Sequence, residues 1–135
     1  IRLYDGVGEL LDELKRRGAC LYLLSNAQRI FTEYEMRALH IYDCFDSVYI
    51  SSDYSCKKPD EKFYRILIRD QGLNPKETLM IGNDPKCDIE GAAAVGFDTC
   101  YIHSNISPKG VDLETIKSTF LLPETDLKKL KQIIL

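Results

Sequence analysis

The sequence has little of what marks several large classes of protein. Its 135 residues include 18 basic and 21 acidic side chains, for a formal net charge of −3. Because this balance provides no basic field for a phosphate backbone, we expect no nucleic-acid partner. No apolar stretch approaches the roughly 20 residues that a membrane helix requires, so we expect no membrane partner either.

Cysteine and histidine are too sparse to indicate a disulfide framework or a zinc site. The five cysteines are scattered and odd in number, without a CxxC pair, and there are two histidines. This usage fits a reducing compartment, so we expect a cytoplasmic location. With 44% hydrophobic residues, the chain is long enough for one compact domain, which we predict over residues 1–135.

What the sequence does contain is an alternation of helical and strand patterns. Helical periodicity predicts helices over residues 7–17, 29–39, 59–72, 88–96 and 124–134. Short apolar runs predict strands over residues 20–25, 47–52, 78–82, 97–103 and 119–122. The first of these runs is apolar on both faces, which is typical of a fully buried strand. The alternation predicts an α/β fold with a parallel sheet and helices on both faces.

Polar residues follow three of the predicted strands, at the edge where ligands bind in such a sheet. Ser25 offers a hydroxyl and Asn26 an exposed amide, while Lys58 stands just before a helix. Asp84 and Asp88 follow the third of these strands. A hydroxyl, a point cation and a pair of hard oxygen ligands suit a phosphoryl group with Mg²⁺.

Each of these residues also has an ordinary structural interpretation. Ser25 could belong to a turn after a strand, and Lys58 could be a solvated lysine beside Lys57. Asp84 could be a helix N-cap, with Asp88 as a first-turn acid stabilised by the helix dipole. It is their joint occurrence, in order and at strand ends, that favours a site.

The segments "LLSN", "KKPD" and "IGNDPKCDIEGAAAVG" together resemble motifs two, three and four of the haloacid dehalogenase-like (HAD) hydrolases, most of which are Mg²⁺-dependent phosphatases. The resemblance implies a three-layer α/β/α sandwich with a parallel Rossmann-like sheet. It implies that the Ser25 hydroxyl and the Asn26 N–H bind the phosphoryl oxygens. It further implies that Lys58 is the motif-three cation that holds the charges of nucleophile and phosphate.

The same resemblance implies a magnesium site in motif four. Asp84 and Asp88 match the acids that position Mg²⁺ directly or through water. Members with a GDxxxxD version of the motif would align Asn83 with their first acid instead of Asp84. All three residues are therefore candidate ligands.

The chain departs from the family at motif one, a DxDx(T/V) at the end of an N-terminal strand, which is absent. Asp5 is followed by glycine but has only four residues before it, too few for that strand, so we reject it as the nucleophile. In the family's sheet the motif-one strand lies between those predicted at 20–25 and 78–82. We therefore expect the first strand to be missing from this chain, and motif one and any cap domain to lie upstream of residue 1.

Two hypotheses follow for the function. The leading one is a Mg²⁺-dependent phosphatase that acts on a small phosphorylated metabolite through an aspartyl-phosphate, with its nucleophile outside this chain. In that case the chain by itself would be inactive. The alternative is a non-catalytic module that keeps the HAD scaffold for phosphate binding or interaction. Dehalogenase and phosphonatase chemistries also occur in the family, but the motif-four acids favour a magnesium enzyme.

Overall fold

The computed structural model describes residues 3–135 and confirms the predicted alternation of helices with parallel strands. The chain divides into two compact units, residues 1–55 with 134–135 and residues 56–133. The proposal of a single domain over residues 1–135 remains a prediction. Among residues 3–135, none of the helices combines the length and apolar character that crossing a membrane requires.

The first unit contains two helix–strand pairs. In chain order these are α1 (Val7–Arg16), β1 (Tyr22–Ser25), α2 (Arg29–Ala38) and β2 (Ser47–Ile50). Helix α1 ends before Gly18, whose φ of 85° lies in the left-handed region that glycine adopts readily. Strands β1 and β2 pair in parallel with Ser25 beside Ile50, so both strands end at the same edge of their sheet.

Two strand predictions in this unit need correction. Strand β1 is not fully buried, because only Leu24 is buried while Tyr22, Leu23 and Ser25 are half-buried. Among the residues that the structure describes, this sheet has two strands, so β1 has a paired strand on one of its edges. Strand β2 ends at Ile50, two residues earlier than predicted, because Ser51–Asp53 forms a 3₁₀ turn.

Helix α2 begins at the predicted residue and ends one residue earlier than predicted, but its buried face is different. Its buried residue is Met36, whereas Ile30, Phe31 and Tyr34 are 75%, 67% and 74% exposed. At 100° per residue, these three side chains lie on the side of the helix away from Met36. The apolar periodicity thus located the helix correctly, although most of the residues that produced it are on the surface.

The second unit continues the alternation around a three-stranded parallel sheet, in which the strands neighbour one another in chain order. Its elements are α3 (Glu61–Gln71), β3 (Leu79–Gly82), a π-helical segment (Pro85–Glu90), α4 (Gly91–Ala94), β4 (Asp98–Ile102), β5 (Phe120–Leu122) and α5 (Leu127–Ile134). Its core includes Phe63, Tyr64, Ile89, Cys100 and Tyr101. The helix predicted to begin at residue 88 begins three residues earlier, as the π-helical segment.

Two other helices begin later than their apolar patterns suggest. Helix α3 starts at Glu61, so Pro59 lies before the helix and not in its first turn. The Asp60 side chain caps α3 by accepting a backbone N–H of the first turn. Helix α5 starts at Leu127, where Asp126 caps it in the same way. In both cases the capping side chain fixes the boundary, as N-cap aspartates commonly do.

Candidate active site

A buried ion pair between Lys58 and Asp88 forms the centre of the candidate site in the second unit. Lys58 lies before α3, and Asp88 lies in the π-helical segment that follows β3. The Lys58 Nζ is 2.6 Å from the Asp88 Oδ1, and the two side chains are only 10% and 8% exposed. Charge-assisted hydrogen bonds of this length fix the orientation of both groups, and low local polarity strengthens them. Two residues predicted to serve different ligands are thus joined directly.

The second carboxylate oxygen of Asp88 is held by the end of β3. Asp88 Oδ2 accepts the backbone N–H groups of Asn83 and Asp84, each at 3.1 Å. The carboxylate lies so close to the strand that a Cβ atom at Gly82 would be 2.2 Å from Oδ2. A glycine at position 82 is therefore what allows Asp88 to reach these two donors.

Asp84 acts as the N-cap of the helical segment, which was one of its two sequence-based interpretations. Its Oδ1 accepts the backbone N–H groups of Lys86 and Cys87, each at 3.0 Å. A carboxylate at a helix N-terminus satisfies unpaired donors and complements the helix dipole. Both of these bonds go to the same oxygen, so the capping role involves one half of the carboxylate.

Asn83 lies beside Asp84 at the end of β3. Its side-chain Nδ2 donates to the Ser104 hydroxyl oxygen at 3.3 Å. This bond ties the loop after β3 to the loop after β4, and it directs the amide nitrogen toward Ser104. A metal ion at this position would therefore use the carbonyl oxygen of the amide.

The donors at this edge of the sheet suit Mg²⁺. Asn83, Asp84 and Asp88 provide one amide oxygen and two carboxylates, which are hard ligands. Within the described part of the chain, no group of three or more His, Cys, Asp or Glu side chains is arranged to hold a metal. Mg²⁺ takes one or two carboxylates and keeps several waters, so the set fits that ion. Asp88 is already bound by Lys58 and two N–H groups, which makes Asn83 and Asp84 the better direct ligands.

Ser25 ends β1 and Asn26 follows it in the first unit, where a hydrogen-bonded turn holds the loop. The Ala27 N–H donates to the Ser51 hydroxyl oxygen at 3.0 Å, and that hydroxyl lies 3.2 Å from the Ala27 carbonyl, to which it donates. The Arg29 N–H donates to the Ser52 hydroxyl oxygen at 3.1 Å. The turn after β2 therefore fixes the backbone directly after the predicted phosphate-binding residues.

Sequence reasoning gave no supporting role to two residues that hold these positions. Ser51 holds the loop after β1, although the sequence placed it inside the strand predicted over residues 47–52. Tyr64 donates its hydroxyl to the carbonyl of Cys87 at 2.6 Å, a contact for which the sequence offers no local signal. Burial, followed by the charge of Asp84, raises the pKa of the Cys87 thiol, which makes it a poor nucleophile.

Known enzymes resemble this chain over most of its length. A phosphoserine phosphatase from Thermus thermophilus is 28% identical over 107 residues, which are 79% of this chain and 43% of the relative. The pyrimidine 5′-nucleotidase PynA from Streptococcus pneumoniae is 32% identical over 98 residues, which are 72% of this chain and 41% of the relative. The chain thus spans about half the length of the curated relatives it matches.

Solved structures share the fold. The putative HAD-hydrolase YfnB from Bacillus subtilis, solved with bound magnesium, matches with a TM-score of 0.85 at 23% identity, over 98% of this chain and 56% of that one. This likeness confirms the predicted α/β fold. Residues 1–96 match the family model of the haloacid dehalogenase-like hydrolases. The chain belongs to the haloacid dehalogenase-like hydrolase family.

Proposed function

We propose that this protein is a Mg²⁺-dependent phosphatase that hydrolyses the phosphate monoester of a small metabolite. The observation that carries the proposal is the buried Lys58–Asp88 pair after β3, whose second carboxylate oxygen accepts the N–H groups of Asn83 and Asp84, two of the candidate magnesium ligands. A fixed cation beside hard oxygen ligands suits a phosphoryl group and a magnesium ion. The phosphatases among its relatives support the same substrate class.

In this proposal each residue has one task. Lys58 provides positive charge for the phosphoryl oxygens, and Ser25 with the Asn26 N–H donates hydrogen bonds to them. The nucleophile is an aspartate outside these 135 residues, in a segment that corresponds to the unmatched part of the relatives. It forms an aspartyl-phosphate that water then hydrolyses. The 135 residues alone are therefore expected to bind phosphate without turnover.

The magnesium ion would be held by Asn83 and Asp84, with Asp88 contributing through water. When bound, Mg²⁺ neutralises charge on the transferring phosphoryl group. The protein's own part is to fix the ligands: Asp84 is held by its capping bonds, and Asn83 by Ser104.

The five free cysteines fit the reducing environment of the cytoplasm, where we propose that the protein is located.

Removal of magnesium is expected to abolish the activity. With the protein expressed from its complete reading frame, EDTA should lower hydrolysis of p-nitrophenyl phosphate by about 100-fold or more, since a bound cation supplies several kcal/mol to the transition state. Added Mg²⁺ should restore the rate, and Ca²⁺, which prefers longer bonds and more ligands, should not. Full turnover in EDTA would contradict the metal assignment. Release of chloride from 2-chloropropionate, measured in parallel, would instead indicate dehalogenase chemistry.

Replacing Ser25 with alanine tests the predicted hydroxyl donor. In the same full-length protein, Ser25→Ala should lower kcat/KM by about 10- to 100-fold, the usual worth of a hydrogen bond to a charged group. Ser47→Ala is the matched control, because Ser47 begins β2 beside Tyr22, at the opposite end of the two-stranded sheet from Ser25. Equal loss in both variants would show a structural effect and remove the assigned role of Ser25.

The rival function is a non-catalytic phosphate-binding module on the same scaffold. It is favoured by two observations: both carboxylate oxygens of Asp88 are already bonded, and Asn83 stands where some family members carry an acid. Isothermal titration with inorganic phosphate and Mg²⁺, alongside the turnover assay, separates the two. Phosphate binding by the full-length protein without turnover of any phosphate ester would support the module.

A further inference from the structure

Tyr64 reaches from α3 to the segment that carries Asp88. Its side chain is completely buried, and its hydroxyl oxygen is 2.6 Å from the Cys87 carbonyl oxygen and 3.2 Å from that of Asp88. Because a hydroxyl has a single proton, the shorter contact is the principal bond and the longer one a weaker shared component. Both partners are carbonyl oxygens, which only accept, so the hydroxyl is the donor.

The carbonyl that Tyr64 binds lies where the helix hydrogen bonding is irregular. Residues Pro85–Glu90 are π-helical, and the Gly91 N–H donates to the carbonyls of Lys86 and Asp88. In a regular α-helix that N–H would reach Cys87, four residues back. A carbonyl that loses its helix partner is costly unless another donor binds it, so the Tyr64 hydroxyl on the part-buried Cys87 carbonyl stabilises the irregular turn. That turn is the one that places Asp88.

Gly91 makes this approach possible. A Cβ atom at position 91 would lie 2.6 Å from Cε2 and 3.1 Å from the hydroxyl oxygen of Tyr64. It would also lie 3.2 Å from the Cα of Pro59, the residue after Lys58. The absence of a side chain at Gly91 therefore lets the start of α4 lie directly against both Tyr64 and the backbone next to Lys58. Both members of the ion pair are thus positioned by contacts at one point.

We propose that Tyr64 is a positioning residue, whose hydroxyl sets the place of Asp88 and, through the ion pair, of Lys58. Loss of the hydroxyl frees the Cys87 carbonyl and lets the π-helical turn relax. The ring keeps its edge-to-face contact with Phe97, in which the two ring centroids are 6.0 Å apart. The Asp88 carboxylate then moves relative to the end of β3. The kinetic consequence rests on the proposed phosphatase function, whereas the structural consequence does not.

Tyr64→Phe in the full-length protein tests the structural consequence by amide hydrogen exchange. The Asn83 and Asp84 N–H groups donate to Asp88, so they should exchange about 10-fold faster, while the amides of β4 keep their rates. Tyr49→Phe, at a buried tyrosine of the first unit, should leave Asn83 and Asp84 unchanged. A uniform rise across all core amides, or no change at Asn83 and Asp84, would overturn the proposal.

The kinetic consequence is measured on the same variant. Displacement of Lys58 should lower kcat by about 10- to 100-fold with little change in KM, since small misplacements act on the transition state more than on binding. A wild-type kcat in a protein that hydrolyses phosphate esters would overturn the positioning role. If the wild-type protein has no turnover, the phosphatase proposal fails and the exchange data alone decide the role of Tyr64. Gly91→Ala places a methyl group against the same ring, so it should also speed exchange of the Asn83 and Asp84 amides. If these amides keep their wild-type rates in Gly91→Ala, the result counts against the role of Tyr64.

Discussion

Lys58→Met should reduce kcat by about 100- to 1,000-fold, the usual effect of removing one preorganised charge from a transition state. Methionine has nearly the length and volume of lysine, so the substitution removes the charge and leaves little cavity. It also strands the Asp88 carboxylate, which is 8% exposed. We expect a loss of about 3 kcal/mol in the free energy of unfolding, because the two N–H groups on Oδ2 still bind the remaining charge.

The measurement is steady-state hydrolysis of a phosphate monoester well below the melting temperature, together with urea denaturation of the same full-length protein. Lys57→Met is the matched control, since Lys57 is the exposed neighbour in the sequence. It should change neither the free energy of unfolding nor the activation free energy of hydrolysis by more than about 0.5 kcal/mol. A Lys58→Met protein with wild-type kcat would remove Lys58 from the proposed mechanism.

A double-mutant cycle separates the ion pair from other effects of the substitution. Asp88→Asn in the Lys58→Met background removes both charges, so the double variant should be more stable than the sum of the two single losses predicts. The expected coupling is about 1–3 kcal/mol, as for other residues in direct contact. Strict additivity would mean that the 2.6 Å contact contributes nothing as a pair.

The sequence predicted the positions of the candidate residues at strand and helix ends better than it predicted the side chains that they contact. Ser25 ends β1, Lys58 lies before α3 and Asp84 follows β3, so each lies at the strand or helix boundary that the sequence indicated. The pairing of Lys58 with Asp88 was not foreseen, since 30 positions separate them in the sequence. Strand ends can be read from local apolar runs, but contacts between side chains depend on how distant segments pack.

The supporting residues were the least predictable. Tyr64 belongs to the apolar pattern of α3, and the sequence gives no sign that its hydroxyl binds a carbonyl in another segment. Gly91 lies within the helix predicted over residues 88–96, but the sequence gives no sign that Tyr64 and Pro59 lie against it. Helix α2 shows the opposite case, because Phe31 supported the helix prediction and is nonetheless exposed. Apolar periodicity indicates the secondary structure of a segment, but it does not show which of its side chains are buried.

Gly82→Ala should be the most disruptive single substitution at the end of β3. The new methyl group would lie 2.2 Å from Oδ2 and 2.4 Å from Cβ of Asp88. Asp88 cannot rotate away without giving up Lys58 and the N–H groups of Asn83 and Asp84. The expected cost is about 3–5 kcal/mol, the range for breaking a buried pair, and Tm should fall by about 10 °C or more.

Thermal unfolding followed by circular dichroism measures this loss, and Gly8→Ala is a control with the same chemical change. Gly8 lies within α1, and a Cβ built there has no atom of residues 3–135 within 4 Å apart from its chain neighbours and the backbone of its own helix. Alanine should therefore stabilise that helix by about 0.5–1 kcal/mol. Opposite signs at the two glycines would show that position 82 is limited by contact with Asp88 and not by backbone freedom. If Gly82→Ala melts at the wild-type temperature, the close packing of Asp88 against β3 is wrong. The ion pair with Lys58 would then need a different support.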